Sequence, residues 1–121
     1  MSEVTPPGGN DENPNWELNF GDYQEQARQT AIYPPEHSIT YPLLGLVGEV
    51  GEFANKYKKV LRDGKEFSVE DMSSELGDIL WYVAMTAYDA GIDLSYIANK
   101  NLDKLFDRAE RGVLGGSGDN R

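Results

Sequence analysis

The chain has 121 residues, a net charge of −10 and no cysteine, which suits one domain that folds without a disulfide or metal staple. Thiolate metal sites and cysteine nucleophiles are excluded, and a lone histidine, His37, argues against a His-based triad or histidine metal cluster. The charge has the wrong sign for gripping a nucleic acid polymer. The longest apolar run, Ile79 to Met85, has seven residues against the ~20 of a membrane span, and no signal-peptide pattern opens the chain. The expectation is a cytoplasmic protein with no membrane partner.

Residues 1–15 hold three prolines, two glycines and the polar run Asn10 to Asn13. Such a stretch has too little apolar surface to offset its ordering entropy and is expected to be a disordered arm. Residues 16–111 form the expected all-α domain, and residues 112–121, with four glycines, a flexible tail. Helix 1 is predicted over Phe20 to Ala31, ending before Tyr33-Pro34-Pro35 because proline disfavours helical geometry in the residue before it. Helix 2 is predicted from Pro42 to Arg62, with Pro42 in its first turn, basic residues in its last and Gly64 as a left-handed exit. Ser68 caps helix 3, which ends at Gly91; Asp93 caps helix 4, which ends at Arg111. No segment alternates with period two, so no strand is predicted.

Helix 2 carries an apolar stripe through Leu43, Leu46, Val47, Val50, Phe53, Ala54, Tyr57, Val60 and Leu61 at three- and four-residue steps. Helix 3 is apolar around most of its circumference from Ile79 to Met85, and four helices can hardly cover such a surface. It is therefore expected to pack against a second copy of the chain.

Carboxylates at i, i+3 recur five times in the core. Asp22/Glu25 suits the first turn of helix 1, Asp63/Glu66 flanks a glycine turn, and Asp107/Glu110 is interleaved with Arg108 and Arg111. The remaining two pairs differ in position. At about 100° per residue, Glu49 and Glu52 border the apolar stripe of helix 2, and Glu75 and Asp78 lie beside Ile79 and Tyr82 on helix 3. Antiparallel packing of these helices brings four carboxylates into one cleft. Uncompensated burial of such groups is costly, and oxygen-only ligands suit Mg2+, with Mn2+ as a substitute; ordinary helix-surface acids are the alternative. Gly45 and Gly48 share the face of Glu49 and Glu52, leaving room for a ligand or for close helix packing, and Gly51 suits packing. Lys56 and Lys59 follow on that face, Lys56 being also an i, i+4 partner for Glu52. Helix 4 adds Lys100, Asn101, Lys104 and Arg108, a basic strip that suits a polyphosphate or pairs with nearby acids. Trp81 and Tyr82 read first as core or interface residues, with base stacking by Trp81 as the second reading.

The segments Tyr41-Pro-Leu-Leu-Gly-Leu-Val-Gly-Glu-Val-Gly-Glu52 and Glu75-Leu-Gly-Asp-Ile-Leu-Trp-Tyr82 resemble the MazG-like branch of the all-α nucleoside triphosphate pyrophosphohydrolases. The signature of that branch is Glu-x-x-Glu followed by Glu-x-x-Asp, here with 22 residues between Glu52 and Glu75. The likeness runs from about Phe20 to Arg121. It implies a four-helix bundle, homodimer or homotetramer, that hydrolyses nucleoside triphosphates between the α and β phosphates to a monophosphate and pyrophosphate. By position it implies magnesium ligands at Glu49, Glu52, Glu75 and Asp78 and phosphate contacts at Asn101 and Lys104, with Lys59 and Arg108 as further candidates. The expected chemistry is in-line attack by water whose pKa magnesium lowers, with Glu49 or Glu52 taking the proton. Two alternatives stand: a non-catalytic helical dimer acting as an interaction module, and a specialised dUTP, dCTP or phosphoribosyl-ATP enzyme of the same superfamily. Base choice then depends on pocket shape, including Trp81 or Tyr23.

Overall fold

A computed structural model describes residues 17–116 and 118; the expected arm at 1–15 and the tail residues 117 and 119–121 lie outside them. Among the described residues the architecture is all-α, with no strand. The elements in chain order are α1 (Phe20–Arg28), a 3-10 turn (Pro35–His37), α2 (Thr40–Asp63), α3 (Val69–Asp89) and α4 (Leu94–Glu110). No helix among the described residues is long and apolar enough to cross a membrane.

The helix boundaries follow local chemistry. Asn19 Oδ1 accepts from the Asp22 amide at 2.7 Å to start α1, Ser68 Oγ accepts from the Asp71 amide at 3.0 Å to start α3, and Asp93 Oδ1 accepts from the Ser95 amide at 2.7 Å to start α4. Each satisfies an amide that the helix itself leaves unpaired. Gly64, the exit from α2, has φ 65°, a left-handed conformation that costs glycine nothing. Helix α1 stops three residues before the expected Ala31. There the amides of Gln29, Thr30 and Ala31 each turn to a carbonyl three residues back, and the Thr30 hydroxyl donates to the Ala27 carbonyl at 2.7 Å.

Helix α3 is the hub, packing against α2, α1 and α4. Ala84 and Met85 are buried by these contacts, whereas Ile79 to Val83 are only partly covered within the chain. The core sits where α1 crosses α3 and α4, with Ala27, Ala84, Met85 and Leu94 buried and Tyr23, Trp81, Val83 and Ile97 packed round them. Exposed apolar side chains occur on every helix, among them Leu76 on α3 and Leu102 and Phe106 on α4, and α2 carries a run of them: Leu43, Leu44, Val47, Val50 and Leu61. The apolar arc of α2 is too wide for one partner helix. Leu46, Phe53 and Val60 are sheltered, and the rest looks outward.

Gln24 ties this end of the bundle together. Only 4% exposed, it donates from Nε2 to the Ala84 carbonyl at 3.1 Å and the Ile92 carbonyl at 3.0 Å. Its Oε1 accepts from the Leu94 amide at 3.0 Å. One amide group therefore fixes α1 against the end of α3 and the start of α4. Gln24→Leu removes all three bonds, leaves the Leu94 amide buried without a partner and is expected to lower stability by about 2 kcal/mol; urea unfolding followed by circular dichroism measures the loss.

Candidate metal centre

Three contacts set the register of α2 on α3. Tyr82 lies across the backbone of Gly45, Glu49 approaches Asp78, and Lys56 pairs with Glu75. The residue numbers rise on one helix as they fall on the other, so the pair is antiparallel, as its short connection predicts. Phe67 in that connection stacks on Phe53, ring centres 5.7 Å apart, and meets Tyr57 edge-on at 6.0 Å. This closes the hairpin at the Glu75 end.

Glu49, Glu75 and Asp78 each present a carboxylate oxygen within 4.8 Å of the other two. Glu75 is 7% exposed. Its Oε1 accepts from Lys56 Nζ at 2.5 Å, whereas its Oε2 is buried and has no hydrogen-bond partner. A buried carboxylate oxygen without a donor is costly. A divalent cation removes that cost, and three hard oxygen donors fit magnesium or manganese. Glu52, expected as a fourth ligand, lies outside the group of three: its Oε1 is 3.2 Å from Lys56 Nζ. Glu52 and Asp78 are exposed. The two carboxylates hold the Lys56 ammonium above its ordinary pKa, the bond to Glu75 contributing most and that to Glu52 next.

Glu49, Asp78, Trp81, Tyr82 and Thr30 line an open recess of about 370 Å³. The Trp81 indole N–H donates to Thr30 Oγ1 at 2.8 Å, and the Trp81 ring meets Tyr82 edge-on at 5.0 Å. Tyr33 stacks on Tyr41 with centres 4.7 Å apart and stands edge-on to Trp81 at 6.5 Å. Asp89 anchors this aromatic wall. Its Oδ2 accepts from the Tyr33 hydroxyl at 2.6 Å and from the Ile39 amide at 3.0 Å. Ile39 has φ 66°, an unfavourable conformation for a β-branched residue, held by its surroundings. Of the sequence candidates, Trp81 therefore borders the recess, joined by Thr30 and Tyr82, with Tyr33 packed edge-on against the Trp81 ring and Tyr41 stacked behind Tyr33. An edge-on contact between Tyr33 and Trp81, 48 residues apart in sequence, leaves no local signal.

The glycines divide. Gly45 serves packing, since a methyl group there would overlap the Tyr82 ring, whereas Gly48 and Gly51 face open space in this chain. Lys59 is exposed on α2, two turns beyond Glu52. The basic strip of α4 is not beside the carboxylates. Helix α4 packs on α1 and α3 rather than α2, and Asn101 lines a groove of about 420 Å³ with Phe20, Leu80, Val83 and Leu102 on another face of α3. Arg108 is 4% exposed and donates from Nη2 to the Gly118 carbonyl at 3.3 Å, and Lys104 is exposed along the same helix. Their spacing put them on one helix face, and the packing direction of that helix carried them away from the acids.

Fold and site together define a small all-α protein whose central helix pair carries a convergent carboxylate group beside an aromatic recess. The chain belongs to the MazG nucleotide pyrophosphohydrolase domain family, whose sequence profile matches residues 38–113, from the start of α2 to the end of α4. It is also similar to the "Gene 37 protein" of Mycobacterium phage L5, with 46% identity over 109 residues, covering 82% of this chain and 96% of that protein. No solved structure matches the chain.

Desolvation first, then the charges of Glu52, Asp78 and Glu75, hold the Glu49 carboxyl above its ordinary pKa, with Lys56 opposing. A pKa raised on folding means a stabilising contribution present at low pH and lost as pH rises through the folded value. In the absence of divalent cations, Glu49→Gln is therefore expected to gain stability over the parent as pH rises from 4 to 7. Thermal melts of both proteins across that range, in chelator, measure the difference.

Proposed function

We propose that this protein is a magnesium-dependent, cytoplasmic nucleoside triphosphate pyrophosphohydrolase that cleaves between the α and β phosphates. Water attacks phosphorus, the bond to the bridging oxygen breaks, and a nucleoside monophosphate and pyrophosphate leave. The observation that carries this reading is the carboxylate group of Glu75, Glu49 and Asp78, in which the buried Glu75 leaves one oxygen without a hydrogen-bond partner, beside a recess that Glu49 and Asp78 line. Membership of the MazG family supports the reaction class.

Glu75, Asp78 and Glu49 would hold magnesium, which when bound screens phosphate charge and acidifies water. Glu49 lines the recess and has a raised pKa, which suits it to accept the proton of the attacking water. Glu52 is turned to Lys56 and serves the site through that contact. The Trp81 ring offers the base a stacking face, and Thr30 orients that ring. Lys59, on the α2 face that carries Glu52, supplies positive charge to the outer phosphates.

Pyrophosphate release from a panel of canonical and modified nucleoside triphosphates, with magnesium and with chelator, tests the reaction. Magnesium-dependent release with equimolar monophosphate is expected. Asp78→Asn and Glu75→Gln are expected to lower turnover at least a hundredfold while keeping a helical circular dichroism spectrum. Folded protein without release from any substrate would overturn the assignment in favour of a non-catalytic module.

The outward half of the α2 apolar arc supports assembly of two copies. Val47 and Leu61 are each 66% exposed, and contiguous apolar surface of this kind marks an interface. The chain is proposed to be a homodimer, alone or as half of a homotetramer, with this face covered by its counterpart. Val47→Glu places a charge in that contact and is expected to halve the mass measured by light scattering; an unchanged mass places the interface elsewhere.

A further inference from the structure

The Lys56 ammonium lies between two groups of the carboxylate site. It is 2.5 Å from Glu75 Oε1 and 3.2 Å from Glu52 Oε1, and so links α2 to α3. The two oxygens of Glu75 therefore face different environments: Oε1 has a cation, whereas Oε2 is buried without a partner. Glu49 and Asp78 stand on the three-carboxylate side of the site, and Glu52, which the family signature would place among the ligands, is outside it. Lys56 is half exposed, its side chain at 48%, so it has room to swing out toward solvent.

We infer that Lys56 is a tethered counter-ion that shares the carboxylate site with the divalent cation, taking the Glu52 side of Glu75 and leaving the cation the Glu49–Asp78 side. This rests on the reading of the three carboxylates as a cation site. Four carboxylates crowd the helix pair, and one ammonium offsets part of their mutual repulsion before any cation arrives. Lys56 thus keeps Glu75 in place while the site is empty. The same charge opposes the incoming cation, because both bind one carboxylate at close range in a partly desolvated seam. Lys56 therefore sets cation affinity, trading tight binding for a site that stays assembled without metal.

Calorimetric titration with Mn2+ and Mg2+, paired with thermal melts in chelator, tests this without any turnover. Lys56→Gln removes the charge but keeps a donor for Glu75. It is expected to bind the cation about tenfold more tightly, to melt lower than the parent in chelator, and to show a larger melting-temperature rise on adding cation. Lys56→Arg keeps the charge and is expected to retain the parent affinity. If Lys56→Gln does not fold in chelator, Lys56→Arg against Lys56→Met, each refolded with cation and titrated by competition with a chelator, gives the same comparison. Equal or weaker binding after loss of the charge, with the parent still binding cation, overturns the role of Lys56 alone. No cation binding by any of the proteins overturns the metal site itself.

Discussion

Burial of the Glu75 carboxylate in the seam between α2 and α3 is the constraint on which the rest of the site depends. A carboxylate with its side chain only 9% exposed needs compensation on both oxygens. One oxygen has the Lys56 ammonium. The other has no hydrogen-bond partner, and the carboxylates of Glu49 and Asp78, each with an oxygen within 4.8 Å of one of Glu75, make the cost larger. The seam is thus an arrangement that a protein core would ordinarily avoid and that a divalent cation would favour. Sites of function are where such departures from good packing collect.

Holding two helices in register despite that repulsion falls to apolar contacts at either end. Phe67 stacks on Phe53 beyond Glu75, and at the other end Tyr82 lies in the gap that Gly45 leaves. The Tyr82 ring then forms a wall of the recess, so one contact both locks the register and shapes the space beside the acids. Beyond it, Asp89 joins the turn after α1 to the start of α2 through Tyr33 and the Ile39 amide. That carboxylate stands in the last turn of α3, where the helix dipole disfavours an anion. Its two hydrogen bonds offset this and hold Ile39 in its left-handed conformation. Strained backbone next to a recess, held by a charged anchor, is rigidity placed where the aromatic wall needs it.

Much of the helix pattern is legible in local chemistry. Ser68, Asp93 and Gly64 act at the ends where their side chains or conformational freedom assign them, because capping involves only neighbours within a turn. The carboxylate pairs were also legible, since i, i+3 spacing places two side chains on one helix face whatever the partner helix is. Gln24 was not: its three bonds reach 60 to 70 residues along the chain, and nothing near it in sequence distinguishes it from an exposed glutamine. The surroundings of Arg108 were not legible either. Its spacing places it on a basic face, whereas in the structure it is 4% exposed and donates to the Gly118 carbonyl, ten residues on.

By itself the sequence determined the four helices, the caps that start α3 and α4 and the glycine that ends α2, the acids at one edge of α2 and α3, and the family to which that paired signature belongs. These are properties of neighbours in the chain, carried by periodicity, caps and spacing. Only the tertiary structure decided which acids meet. It brought oxygens of Glu49, Glu75 and Asp78 within 4.8 Å of one another, paired Glu52 with Lys56 at their border, packed α4 on α1 and α3, and brought Thr30 to the recess beside Trp81 with Tyr33 against the Trp81 ring. The reason is physical: a helix wheel states where a side chain points, but the rotation and register of one helix on another are set by the summed packing of residues far apart in sequence. Tyr82 over Gly45 and Phe67 against Phe53 make that choice here, and the carboxylates follow.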